Sequence, residues 1–519
     1  MILCFFPLSR FLAAALASLA LAVPASATGP DAAQPDPTVE HAEAFAEVSR
    51  LFDAERYARA AELLEELRET DPHDRAILYN LACARAMQGE TAAAEELLLD
   101  ALGVGFVDFF HLMRDEHLEP IRTGRVIRAV DERWAELLDT RAAVELGVYL
   151  ERLDGPYVTR SLDDLRVHII SSHGEAETDA VAGELRRVSS IAGPLFDPAA
   201  APLADRPDPW VFVILPTPAD FVRLTGLARP DVGGVYERDL KRLIARDLGP
   251  SLRHEFMHAL HWRHCDRLGQ RHPIWIQEGL ASLVEDLEPA GDRAAAGGGG
   301  DGAVVGGGNG GGDGGGVVPS WRTNIASRLA SNHRLTPWDR LMTMDRRSFV
   351  LRRPRAHYAE ARAVMHFFHE RGKLAEWYGA YVGTFDADPS GRAAVETVFR
   401  ENIAGVQESC RVWLTSLDEV GEVHAHRRVG LGVVLSPGDG TGPRVDEIVS
   451  MNPRDVGGRP GLRLRNRDVI NAVDGDRVRT LDDLYRLLGE HEPGDAVTVT
   501  VRRGSRTLAI ECELVEEEW

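Results

Sequence analysis

The amino-acid sequence predicts a multidomain protein in which an α-helical repeat segment precedes an α+β domain and a small β-rich domain. Near the N-terminus, residues recur after 34 positions, so that Leu63 and Leu64 superpose on Leu97 and Leu98. The middle of the chain carries short apolar strands followed by long helical patterns. From about residue 429 onward, apolar and polar side chains alternate as they do in strands. A length of 519 residues also exceeds what one hydrophobic core usually supports.

The composition is that of a folded protein, with 44% hydrophobic and 27% charged residues. The formal net charge is −22. Nucleic acids and anionic lipids are also negatively charged, so we expect no nucleic-acid partner. Four widely spaced cysteines follow Cys4, and their spacing leaves room for one long-range disulfide bond but not for a CxxC site.

The N-terminal residues 1–27 are predicted to be a cleavable signal peptide. Arg10 precedes an apolar run from Phe11 to Val23, and Ala25-Ser26-Ala27 supplies small residues for cleavage. That run is too short to span a membrane, and no later stretch is long and apolar enough. We therefore expect a periplasmic or secreted protein with no integral membrane segment in the mature chain.

A linker at 28–39 leads into a helical segment at 40–125 and a helical connector at 126–160. The 34-residue period, with small residues where paired helices cross, resembles tetratricopeptide repeats. Asp71-Pro72 would separate the two repeats. A plain pair of helical hairpins is the alternative, since two repeats are few for a solenoid. The resemblance implies a surface for a protein partner.

The domain at 161–420 is predicted to be α+β. Strand-like segments at 165–170 and 210–215 precede a hairpin and a long helix that begins near Ser251. Within this domain, 14 of the 20 residues at 297–316 are glycine, which predicts a disordered insertion. A calcium-binding glycine repeat does not fit, because its aspartates would lie nine residues apart rather than twelve.

The helix near Ser251 contains the motif HExxH, from His254 to His258. Positions i and i+4 share one helix face, so both imidazoles can bind one metal ion. Glu255 is then placed to accept a proton from a zinc-activated water. The alternative is a solvated His/Glu face on an ordinary helix.

Glu278 lies twenty residues after His258, within Trp275-Ile-Gln-Glu-Gly-Leu-Ala281. A second helix here could bring its carboxylate to the two histidines and complete a His₂Glu zinc site. The small Gly279 suits close helix packing. These motifs resemble the gluzincin metallopeptidases, in which a Glu on the next helix is the third ligand. The resemblance implies a zincin-like fold and one Zn²⁺ per chain.

Two features depart from the gluzincin pattern. The position four residues after Glu278, often acidic in gluzincins, is Ser282, so Glu285 or Asp286 would have to orient a ligand histidine. His264 extends the motif to HExxHxxHxxH, close to the metzincin pattern, but His261 stands where metzincins need Gly. We favour Glu278 over His264 as ligand, and expect His261, His264 and His272 at the surface or in the site wall.

Peptide hydrolysis also needs a hydrogen-bond donor for the developing oxyanion. The gluzincin resemblance implies a Tyr or His from the helical part of the domain. Tyr358 is our candidate, with His357 and His366 as rivals. A tyrosine that serves only the core is the alternative.

The segment 429–517 resembles a bacterial PDZ domain. The resemblance is carried by Gly430-Leu-Gly-Val-Val434, Pro460-Gly-Leu462 and Val473-Asp-Gly475, with a helix at 481–488. It implies that the backbone N–H groups of Leu431, Gly432 and Val433 hold the C-terminal carboxylate of a protein or peptide.

Together these features predict an exported zinc metallopeptidase that hydrolyses polypeptides, with Glu255 as general base. Two other readings stay open. One is a non-catalytic cell-envelope scaffold with a vestigial or structural zinc site, against which the intact Glu255 argues. The other is an aminopeptidase.

Overall fold

The structure is a computed structural model. It describes residues 37–197, 201–226, 233–287, 316–420, 429–436, 442–448, 463–479, 481–488, 491 and 494–516. The predicted signal peptide, most of the predicted linker and all but the last residue of the glycine-rich stretch lie outside the described residues, so those three predictions stay predictions.

The N-terminal part of the described chain is helical throughout. Its elements are α1 (Pro37–Asp53), α2 (Tyr57–Thr70), α3 (Arg75–Met87), α4 (Thr91–Gly103), α5 (Phe109–Arg114), a 3₁₀ helix (Glu116–Ile121), α6 (Arg125–Glu132) and α7 (Trp134–Arg152). The 34-residue period is visible in the packing, since Ala60, Leu64, Ala94 and Leu98 are all fully buried. The predicted helical repeat segment is confirmed.

The middle domain opens with an α/β part. Its elements are β1 (Val158–Leu162), β2 (Val167–Ser171), α8 (Glu175–Ala192), β3 (Val211–Leu215), α9 (Pro218–Thr225), β4 (Gly234–Glu237), β5 (Arg242–Ala245), α10 (Pro250–Leu268) and α11 (Ile274–Leu283). The sheet has the order β1-β2-β3-β5-β4. Strands β2, β3 and β5 are parallel, whereas the two edge strands are antiparallel to their neighbours. The predicted mixed domain is confirmed.

Helix α10 is delimited by local sequence signals. Pro250 occupies the first turn, where its missing N–H costs no hydrogen bond. Gly269 ends the helix in the left-handed conformation at φ 73°. The helix packs against β4 and β5 on one side and against α11 on the other. It therefore lies between the sheet and the helical half of the domain.

The second half of the domain is helical. Its elements are α12 (Trp321–Ser331), α13 (Trp338–Met342), α14 (Arg346–Leu351), α15 (Pro354–Glu370), α16 (Leu374–Thr384), α17 (Arg392–Phe399) and α18 (Ile403–Thr415). Helices α11 and α15 pack so closely that a Cβ on Gly279 would lie 2.9 Å from the Ala361 carbonyl oxygen. Gly279 thus allows the close approach that the sequence predicted for this position.

The two ends of the chain around the glycine-rich stretch lie side by side. Leu287 and Val317 form an antiparallel β-bridge, and the Val318 N–H donates to the Asp286 carbonyl at 3.3 Å. Arg362, fully buried on α15, donates to the Val318 carbonyl at 2.7 Å. The contacts that close this part of the fold therefore come from residues on either side of the stretch.

The helical N-terminal part is attached to the far end of α10. Arg114 donates to the carbonyl oxygens of Arg267 at 2.8 Å and Asp266 at 2.5 Å. These carbonyls belong to the last turn of α10, which has no partners within the helix for them. The guanidinium thus serves both as a helix cap and as a link between the two parts.

The C-terminal domain is rich in β-structure. Its elements are β6 (Val429–Gly430), β7 (Val433–Ser436), β8 (Arg444–Ile448), β9 (Val469–Val473), β10 (Asp476–Arg477), α19 (Leu481–Leu488), β11 (Ala496–Arg503), β12 (Arg506–Glu513) and β13 (Val515–Glu516). The main sheet has the order β12-β11-β9-β8-β7. This arrangement confirms the predicted small β-rich domain.

Within the described ranges, no two cysteines are joined by a disulfide bond. No described helix combines the length and the apolar character needed to cross a membrane.

A buried carboxyl on α15 makes stability depend on pH. Glu360 accepts hydrogen bonds from the backbone N–H of Thr336 at 2.8 Å and from its hydroxyl at 3.2 Å, and burial raises the pKa of Glu360 to about 7. Between pH 4.5 and 7 the unfolded chain therefore loses this proton while the folded protein keeps it, and stability falls with rising pH. Well above pH 7, Glu360 is ionised in the folded protein as well, and stability falls no further.

Glu360→Gln stays neutral and is expected to be more stable than wild type at pH 8, by on the order of 2–3 kcal/mol, with no gain at pH 4.5. Denaturant unfolding at both pH values measures the difference. The exposed Glu376→Gln serves as control and should show no such dependence. An equal effect of Glu360→Gln at both pH values would contradict the assignment.

Candidate metal centre

The HExxH motif lies in the first half of α10. His254 and His258 are one helical turn apart, and their Nε2 atoms are 3.1 Å from each other. Their side chains are 13% and 12% exposed, so both rings are largely packed but not fully enclosed. The motif thus forms one half of a site, as the helix spacing predicts.

Glu278 approaches both histidines from α11. Its Oε2 lies 3.4 Å from His254 Nε2 and 3.5 Å from His258 Nε2. Donor atoms in a tetrahedral zinc site, each ~2.0–2.1 Å from the ion, lie about 3.3 Å from one another. The three donor atoms therefore have the spacing and the chemistry of a His₂Glu zinc site.

Glu285 supports this arrangement from behind His254. Its Oε1 lies 2.8 Å from His254 Nδ1, and Arg322 donates to both Glu285 oxygens at 2.6 and 3.0 Å. In the neutral ring that a bound metal ion requires, a proton on Nδ1 leaves the Nε2 lone pair facing His258 and Glu278. Asp286, the other carboxylate considered, lies near Arg362 and Ser320, and its Oδ2 has no hydrogen-bond partner among the described residues. The sequence offered no signal for Arg322, which lies beyond the glycine-rich stretch.

The protonation states of His254, Glu278 and Glu285 depend on one another. Burial disfavours charge on each, but hydrogen bonds to Glu278 and Glu285 raise the pKa of His254 to about 10. The neighbouring His258 and His254 hold the pKa of Glu278 well below its usual range, and Arg322 lowers the pKa of Glu285 to about 2. Both carboxylates thus remain ionised at neutral pH, as a ligand and its orienting partner must be.

Glu255 lies against the edge strand β4. Burial raises the pKa of Glu255, although His254, His258 and the Tyr236 backbone N–H act in the opposite direction. A Cβ on Gly234 would lie 2.8 Å from Glu255 Cγ, so glycine leaves the room that this side chain occupies. A partly buried carboxylate with a raised pKa suits a group that accepts and returns a proton.

Of the three candidate oxyanion donors, Tyr358 is the one near the two carboxylates. Glu278 and Glu255 both contribute, after burial, to raising the pKa of its hydroxyl. His357 instead contacts the Phe349 carbonyl oxygen at 2.8 Å. His366 packs on Trp413 and lies 3.6 Å from Glu370.

His261, His264 and His272 do not join this centre. All three are buried, with 1%, 3% and 3% of their surface exposed, so the expected surface position is wrong. Helix α10 is covered over most of its length, and this removes the polar face that the expectation assumed. His264 packs against Phe196 and Tyr378 rather than near Glu278.

In the C-terminal domain, the predicted carboxylate-binding residues link β6 to β7. Gly432 adopts a left-handed φ of 65°, and Val433 begins β7. Leu431 packs against the domain core. A left-handed glycine lets successive N–H groups turn to one side of the loop, as an anion-binding loop requires.

Comparison with known families identifies the two flanking modules. Residues 429–514 match the PDZ domain family, and residues 51–104 match a tetratricopeptide repeat family. These matches confirm the predicted PDZ domain and repeats, both of which are protein-interaction modules. No curated protein matches the chain.

One solved structure overlaps the chain broadly but loosely. It is an aminopeptidase N family protein from Idiomarina loihiensis, aligned over 70% of this chain and 67% of its own at 12% identity. The TM-score of 0.32 is too low for this overlap to carry an argument about fold or function.

Proposed function

We propose that the middle domain is a zinc metallopeptidase. His254, His258 and Glu278 would hold one Zn²⁺ at this centre, and Glu255 would act as general base. The observation that carries the proposal is the convergence of three donor atoms, 3.1–3.5 Å apart, beside a partly buried carboxylate that is not itself a ligand. A purely structural zinc site needs no such carboxylate.

Zinc, when bound, would polarise a substrate carbonyl and lower the pKa of a water molecule. Glu255 would accept the proton of that water and pass it to the leaving amine. The Tyr236 N–H would hold Glu255 in place, and Gly234 would leave space for it. Tyr358 would donate a hydrogen bond to the oxyanion that develops on the substrate.

The edge strand β4 offers a way to align an extended peptide with this centre. Arg246 donates to the Gly233 carbonyl, and Val235 pairs with Ile244. In an antiparallel pair, every second residue bonds to the neighbouring strand. The residues that alternate with Gly233 and Val235, namely Gly234 and Tyr236, therefore turn their N–H and C=O groups away from β5. A substrate strand could pair with the Gly234 N–H and C=O and with the Tyr236 C=O, which supports a polypeptide as substrate.

The flanking modules would select substrates or partners. The PDZ domain would bind C-termini through Leu431, Gly432 and Val433, and the helical repeats would bind a further protein. Tethering a chain near the metal raises its effective concentration there. The N-terminal residues 1–27 would direct the protein to the periplasm or outside the cell.

Metal removal tests the proposal. Treatment with 1,10-phenanthroline is expected to abolish cleavage of an unfolded protein mixture, because His254, His258 and Glu278 alone cannot polarise a carbonyl. Added Zn²⁺ should restore cleavage, whereas Mg²⁺ should not, since it prefers oxygen ligands. Cleavage sites are read by mass spectrometry. Undiminished cleavage by metal-free protein would refute the proposal.

A further inference from the structure

A second group of metal-binding residue types lies further along α10. His254, His258, His261 and Cys265 follow one another at spacings of four, three and four residues, which places them on one helix face. The first two belong to the candidate centre. The last two face His272, which precedes α11, and all three of His261, Cys265 and His272 are at most 3% exposed.

The donor atoms of these three side chains converge. His261 Nε2, His272 Nδ1 and the Cys265 sulfur lie within 4.8 Å of one another, and the two nitrogens are only 2.7 Å apart. His272 Nε2 lies 3.0 Å from the Gln270 side-chain oxygen. A proton on Nε2, donated to Gln270, turns the Nδ1 lone pair toward His261 and Cys265, as in histidines that bind metals.

The surroundings contain polar atoms without partners. Tyr378 is fully buried, and its ring centroid lies 5.7–6.1 Å from those of His261, His264 and His272. Among the described residues, neither the Tyr378 hydroxyl nor His264 Nδ1 has a hydrogen-bond partner. Unsatisfied buried polar atoms cost free energy, so both atoms are expected to gain a partner, which a bound ion or an ordered water molecule can supply.

We propose that His261, Cys265 and His272 form a second, structural Zn²⁺ site. Two imidazole nitrogens and one thiolate are a donor set that zinc accepts, and the Tyr378 hydroxyl is the candidate for a fourth position. On binding, the Cys265 S–H bond breaks and its proton passes to solvent. The two nitrogens would separate by about 0.6 Å to reach zinc geometry.

The site would join the end of α10 to the start of α11. These two helices carry the three donors of the candidate centre, and the chain between them is only five residues long, 269–273. Gln277 also donates to the His272 carbonyl at 2.5 Å. Zinc held here would fix the angle between the helices, and so the position of Glu278 relative to His254 and His258.

Cobalt titration tests this site separately from the candidate centre. Co²⁺ replaces Zn²⁺, and only a thiolate ligand gives a sulfur-to-cobalt charge-transfer band in the near ultraviolet. The His₂Glu centre has no sulfur and cannot produce that band. Reduced full-length protein is expected to bind about two Co²⁺ per chain and to show the band.

Three variants assign the band. Cys265→Ser should lose it together with one metal ion, whereas Cys410→Ser, a control at another buried cysteine of the same domain, should keep both. The double variant His254→Ala/His258→Ala should keep the band and bind about one Co²⁺. That result would stand even if the peptidase proposal failed.

Two results would overturn the second site. The first is wild-type protein that binds Co²⁺ with no charge-transfer band. The second is a band that survives in Cys265→Ser. If Cys265→Ser does not fold, the spectrum of the double histidine variant still decides, because the second site is the one other group of candidate ligands among the described residues.

Discussion

Replacing Glu255 by glutamine is expected to slow peptide hydrolysis by about 10²- to 10⁴-fold, the usual contribution of a general base. Glutamine has the same shape and can occupy the space beside Gly234, but it cannot accept a proton. His254, His258 and Glu278 are untouched, so the zinc content should match that of wild type. Turnover of an unfolded protein and zinc analysis of the same sample give both quantities.

The matched control for this experiment is Glu237→Gln. Glu237 lies on β4, the strand that contacts Glu255, but it pairs with Arg242 rather than with the centre. This variant should retain most of the activity. Near-normal turnover by Glu255→Gln would show that another group accepts the proton.

Replacing Glu278 by alanine is expected to weaken zinc binding at the centre by more than about 100-fold. Loss of an outer-shell partner typically costs 10–100-fold, and Glu278 would be a direct ligand. His264→Ala should leave this affinity nearly unchanged, because His264 lies in the aromatic cluster around Tyr378. Zinc titration against a competing chelator measures both affinities.

These titrations are best carried out in the Cys265→Ser background, in which the proposed second site cannot contribute. Comparing Glu278→Ala with His264→Ala shows which of the two residues is the third zinc ligand. Loss of zinc in His264→Ala, with full binding in Glu278→Ala, would establish the metzincin-like arrangement instead.

Helix geometry explains why the core of the site was predictable. The spacing of His254 and His258 makes them neighbours on any α-helix, and the Glu-Gly pair at 278–279 indicated a closely packed second helix. Glu285 was one of two carboxylates at suitable positions. The sequence narrowed the carboxylate that orients His254 to these two residues, but only the fold brings Glu285 rather than Asp286 to His254.

Residues that reach the site through tertiary contacts were not predictable. Arg322 follows a stretch whose length carries no information about where the chain returns. Gly234 looked like part of a hairpin, and only the packing of β4 on α10 gives it a role beside Glu255. Of the two positions expected for His261, His264 and His272, the surface was wrong. Histidine usually indicates a polar face, but α10, which carries His261 and His264, is covered over most of its length, and His272 beyond its end is buried as well.

The β-bridge between Leu287 and Val317 has a consequence for how the length of this chain can vary. Because the flanking residues are bridged to each other and held by Arg362, residues added between them leave the two ends of the segment where they are. Doubling the length of a flexible loop costs only about 0.6 kcal/mol in closure entropy. The bridge is therefore a natural graft point, where evolution could exchange inserts of different length and an engineer could splice in a reporter domain without disturbing the neighbouring Glu285–Arg322 pair.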